Sequence, residues 1–122
     1  MFDIKLGVPE IESLWFDLQD KVDTNKASKT EKLIYRKLGK TFFLLAKDPK
    51  YPSLKSHEID ALTRRYGMKV FESYLENNKP AAGRIFWVYG PNKNEITIIG
   101  IEPHPNDKVD SYKKITLSKF TN

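Results

Sequence analysis

The chain has 122 residues, 39% of them apolar and 30% charged, with a net charge of +5 and no cysteine. That length suits one domain with a real core, and the lack of cysteine excludes disulfides and thiolate metal sites. No apolar run approaches the length of a membrane helix, and the opening MFDIKLGVPE lacks a basic segment followed by a long apolar one, so a cytoplasmic protein without a membrane partner is expected.

The positive charge is unevenly spread. Residues 1–46 hold eight Lys/Arg against seven Asp/Glu, whereas residues 47–122 hold thirteen against nine. A basic surface concentrates polyanions such as RNA or DNA around itself, although a lysine-rich soluble protein has the same balance.

Phe2-Asp3-Ile4-Lys5-Leu6 alternates apolar and polar, which predicts a short strand ended by Gly7. Pro9 fits the first turn of a helix, and Ile11, Leu14, Trp15, Leu18 and Val22 continue at helical spacing with Trp15 in the core. After a polar link, Ser28-Lys29-Thr30-Glu31 has the spacing of a capping box and opens a second helix. Its expected apolar stripe is Leu33, Ile34, Leu38, Phe42 and Leu45. The pair reads as an antiparallel helical hairpin that covers one face of a sheet. Lys47-Asp48-Pro49 stops the second helix.

Lys50–Arg65 reads as a loop-rich basic stretch, and Met68–Leu75 as a third-from-last strand. The centre of the chain is GRIFWVYGPNKNEITIIGIEPHP, residues 83–105. Two runs rich in aromatic and β-branched residues flank a Gly/Pro/Asn turn, which predicts an antiparallel hairpin. The second run is apolar on both faces of its pleat, as a strand inside a sheet requires. Trp87 and Tyr89 are expected in the core. Tyr112–Phe120 forms a terminal element of undetermined type. The whole predicts an α+β fold, with a small antiparallel sheet of three or four strands packed on an N-terminal helical hairpin, in the order β-α-α-β-β-β.

These elements, with Asp48-Pro49-Lys50-Tyr51-Pro52-Ser53-Leu54-Lys55, the strand opening Arg84-Ile85-Phe86, and the pair His104 and Tyr112, resemble the RelE/ParE superfamily of type II toxin–antitoxin toxins. The likeness runs from about Phe2 to Tyr112 and lies with the RelE-like branch. It implies a single toxin domain over residues 1–122 that cleaves mRNA on the ribosome. It also implies a small antitoxin protein as partner. No cofactor is implied, and homodimerisation stays open.

Metal-independent RNA cleavage needs a base for the ribose 2′-OH, positive charge for the transition state, and an acid for the leaving 5′-oxygen. Arg84 matches the family's strand arginine and suits the second role, because guanidinium stays charged and grips two phosphate oxygens. His104 suits acid or base work, because imidazole as a group titrates near neutral pH, and it stands in the Pro103-His104-Pro105 frame. Tyr112 is a candidate to stack a base or donate to phosphate. Glu72 is either a general base or an ion-pair partner of Arg84, at a place where several RelE-like proteins carry lysine. Lys55, Arg64, Arg65 and Lys69 are candidates for RNA backbone contact. His57 and His104 have no spacing that makes a metal site. Two other readings are a ParE-like toxin that binds a protein such as DNA gyrase, and an inactive family member acting as a binding module.

Overall fold

The computed structural model describes residues 1–76 and 83–102. The candidates His104 and Tyr112 and the expected terminal element lie outside the described residues. Strand β1 (Asp3–Lys5) leads into helix α1 (Pro9–Asp23) and helix α2 (Lys29–Lys47). A single 3-10 turn (Pro52–Leu54), strand β2 (His57–Glu58) and helix α3 (Asp60–Tyr66) follow. Strands β3 (Phe71–Tyr74), β4 (Arg84–Tyr89) and β5 (Glu95–Glu102) complete the described chain.

Local chemistry explains the helical hairpin. Pro9 occupies the first turn of α1, where a missing N–H costs nothing. At the start of α2 the Ser28 hydroxyl accepts from the Glu31 N–H, and the Glu31 carboxylate accepts from the Ser28 N–H. Two N–H groups without intrahelical partners are thereby satisfied. Trp15 stacks on Tyr35 and meets Phe42 edge-on, which joins the two helices. The buried line of α2 runs through Leu38, Thr41 and Leu45. Leu33, expected in that stripe, is exposed, because it lies one helical step off the line that continues through Ile34.

The fold is α+β as expected, but its sheet is larger and differently wired. Among the described residues it has five strands in the order β1-β5-β4-β3-β2. It is mixed, since β1 runs parallel to β5 while the other pairs are antiparallel. The expected sheet of three or four antiparallel strands, in the order β-α-α-β-β-β, is corrected accordingly. The extra elements come from residues 50–66, whose runs are too short for periodicity to show. Helix α3 has seven residues and one buried side chain, Leu62, and ends on Gly67 in the left-handed conformation (φ 70°). Strand β2 has two residues, and its ladder is extended where the Ile59 N–H donates to the Val70 carbonyl.

β5 lies inside the sheet, between β1 and β4, as its two-sided apolar pattern predicts. One extra residue, Ile99, bulges from it, because Phe86 pairs with Gly100 and Trp87 with Ile98. Trp87 is buried, stacked on Phe71, with its indole N–H donating to the Ser73 hydroxyl at 2.8 Å. Tyr89, expected in the core, is instead about half exposed at the strand end, with its ring against Phe2, Phe71 and Trp87. Among the described residues no helix is long and apolar enough to cross a membrane.

Candidate functional site

The pairing registers gather the ionisable side chains. His57 on β2 stands opposite Glu72 on β3, and Arg84 on β4 stands between Tyr74 on β3 and Glu102 on β5. Glu72 pairs with Phe86, two residues beyond Arg84 on the same pleat face, so Glu72 and Arg84 are diagonal neighbours. Four strands therefore bring a guanidinium, two carboxylates and an imidazole together.

The contacts run in a chain. The Arg84 guanidinium donates from Nη1 to Glu72 Oε2 at 3.3 Å and from Nη2 to Glu102 Oε2. Its Cζ lies 5.9 Å from the centre of the Phe86 ring, within cation–π range. His57 Nε2 lies 3.5 Å from Glu72 Oε1, and its Nδ1 lies 2.7 Å from the Lys55 carbonyl. Lys55 takes a left-handed backbone (φ 51°) at the end of the 3-10 turn. The His57 ring also meets Tyr74 edge-on at 6.0 Å.

Burial grades this cluster from inside to outside. The side chains of Glu72, Glu102 and Arg84 are 3%, 7% and 13% exposed, whereas that of His57 is 47% exposed. Glu102 Oε1 is buried with no hydrogen-bond partner among the described residues. Burial pushes the Glu72 carboxyl above the ordinary carboxylate range and the Glu102 charge adds to the rise, while Arg84 and His57 oppose it. Chemically, the cluster is a guanidinium gripped by two carboxylates, one of which holds a proton more tightly than an ordinary carboxyl and meets an imidazole that reaches solvent.

Of the residues named from sequence, Arg84 and Glu72 come together as an ion pair, and Arg84 is held mostly inside rather than opened broadly to solvent. His104 lies two positions beyond Glu102 in the chain, and Tyr112 further on, both outside the described residues. Lys55, Arg64, Arg65 and Lys69 are all exposed, with Arg64 and Arg65 in the last turn of α3. Lys55 is tied to the cluster through its own carbonyl. His57 is a member of the site that sequence reasoning does not find. Its place depends on pairing with Glu72, and the only signal in the sequence is a histidine just after the PSLK segment. Among the described residues no group of three or more His, Cys, Asp or Glu is arranged to hold a metal ion. Compared with family models, curated proteins and solved structures, the chain matches none.

Proposed function

We propose that this chain is the toxin of a type II toxin–antitoxin pair, a RelE-like, ribosome-dependent endonuclease that cuts mRNA by acid/base chemistry and is held in check by a cognate antitoxin. The observation that carries this reading is Arg84, held between two buried carboxylates where the interior strand β4 begins, with Glu102 only two positions before His104. Charge stabilisation in phosphoryl chemistry needs a cation whose orientation is fixed before substrate arrives. Two carboxylates on neighbouring strands supply that fixation. Glu72 is too buried to touch RNA, so its part is to orient the guanidinium. His104 is the acid or base, and Tyr112 stacks a base or donates to phosphate. Lys55, Arg64, Arg65 and Lys69 contact the RNA backbone of the message or the ribosome, which positions the enzyme without reading sequence. No cofactor takes part in this scheme.

A second reading draws on the same burial. An arginine already paired with carboxylates also serves as scaffold, which fits a ParE-like toxin that binds a protein target such as DNA gyrase, or an inactive binding module. The test is induced expression in a bacterial host followed by primer extension on cellular mRNA. Cuts within translated codons that vanish in His104→Ala and in Arg84→Lys support the nuclease. Arg84→Lys is preferred to alanine because it keeps a countercharge for the two glutamates. Intact mRNA with DNA damage turns the reading to gyrase, and cuts that persist in both variants sink the assigned roles.

A further inference from the structure

We infer that His57 and Glu72 hold one proton between them and that this proton sets the affinity of Arg84 for an anion, so that His57 is a positioning residue and the pair is a pH switch on the site. The inference deepens the RNA reading above and rests on it.

A carbonyl oxygen only accepts hydrogen bonds, so His57 Nδ1, at 2.7 Å from the Lys55 carbonyl, carries a hydrogen. In the neutral ring Nε2 then bears a lone pair. That lone pair lies 3.5 Å from Glu72 Oε1, which is also only an acceptor when Glu72 is ionised. Two acceptors facing one another at the edge of a buried site repel, and one proton between them turns the contact into attraction. Burial of Glu72 works in the same direction. With the proton present, the His57–Glu72 pair is neutral as a unit, whichever partner carries it. Within the cluster Arg84 then balances Glu102. Without the proton, the four-residue cluster is net negative and an arriving phosphate is repelled.

Among the described residues, the groups facing this pair come from the strands around it. Lys55 and Glu58 flank His57 in the chain, Glu72 and Tyr74 face it from β3, and Arg84 on β4 and Glu102 on β5 lie beyond Glu72. His57 is the exposed member of the cluster, which gives solvent protons access to a buried carboxylate.

The test is the pH dependence of binding to a single-stranded RNA oligonucleotide with 2′-O-methyl riboses, which prevent cleavage. Fluorescence anisotropy at fixed salt, from about pH 6 to about pH 8, brackets the imidazole range. The affinity of the unaltered protein should fall as pH rises, by at most about tenfold per pH unit for a single linked proton. His57→Gln and Glu72→Gln should each flatten that slope, both in the native background and with His104→Asn, which removes the second imidazole. Equal slopes in all proteins overturn the inference. So does a ¹⁵N spectrum of the unaltered protein in which neutral His57 carries its hydrogen on Nε2; this measurement also decides the matter if the variants fail to fold. RNA binding with the expected slope but uncut cellular mRNA removes the endonuclease and leaves the switch. Cuts in mRNA with unchanged slopes remove the switch alone, and so does a lack of binding to the free oligonucleotide, since a ribosome-dependent endonuclease can still cut message on the ribosome.

Discussion

Replacing Arg84 with methionine tests the charge cluster most directly. Methionine keeps much of the apolar stem but removes the cation that both Glu72 and Glu102 contact. Those two carboxylates are 3% and 7% exposed, so water cannot take over the lost role. Removing one side of a buried ion pair costs about 3–5 kcal/mol, a large part of the 5–15 kcal/mol that holds a typical domain together. The loss should also depend on pH. Glu72 already binds its proton more tightly in the folded chain than its ordinary value of 4.5. The folded state therefore keeps a proton that the unfolded state releases, and this contribution to stability is present at low pH and lost as pH rises through the folded value. Without Arg84 that folded value moves higher still, so Arg84→Met should be less damaging at about pH 5 than at about pH 8. Glu72→Gln should flatten the stability profile of the native protein above 4.5 and recover about 0.5–3 kcal/mol in the Arg84→Met background. Urea titrations followed by fluorescence of buried Trp87 measure all of these. A loss below about 1 kcal/mol that is the same at both pH values refutes the reasoning, because that is the behaviour of a surface pair.

Three further outcomes are expected. Ser28→Ala removes the cap that accepts from the Glu31 N–H and should cost about 1 kcal/mol, read by thermal melting, with Ser28→Asp restoring most of it. Trp87→Phe keeps an aromatic ring in the core but leaves a small gap and removes the donor to Ser73, whose hydroxyl keeps Ser56 at 2.7 Å; a destabilisation of about 1–3 kcal/mol is expected in urea. The triple replacement of Lys55, Arg64 and Arg65 by glutamate should leave each site within about 0.5 kcal/mol of native stability. It should weaken binding to single-stranded RNA and lower the salt slope by about 0.7 for each phosphate that is no longer neutralised, measured by anisotropy across a salt series.

Burial explains which parts of the site were legible. Arg84 is recognisable at the start of a strongly patterned strand, and Glu72 is visible as an acid within an apolar stretch. Their meeting depends on a diagonal register between β3 and β4 that periodicity does not carry. His57 is harder still, since its strand has two residues and no alternation to read. The extent to which Arg84 is enclosed follows from Glu102, the last residue of β5, coming level with it.

Taken alone, the amino-acid order determined the features whose causes are local: the capped second helix, the proline-started first helix, the β4–β5 hairpin and the interior character of β5. Each rests on residues within a few positions of one another. Only the tertiary structure decided that β1 adds in parallel beside β5, that residues 57–58 supply a fifth strand, and that one guanidinium sits between carboxylates from two other strands. The physical reason is that a pleat or a helical stripe records which side of a segment is dry. It does not record which distant segment keeps it dry, and the charges here are arranged by that choice of neighbours.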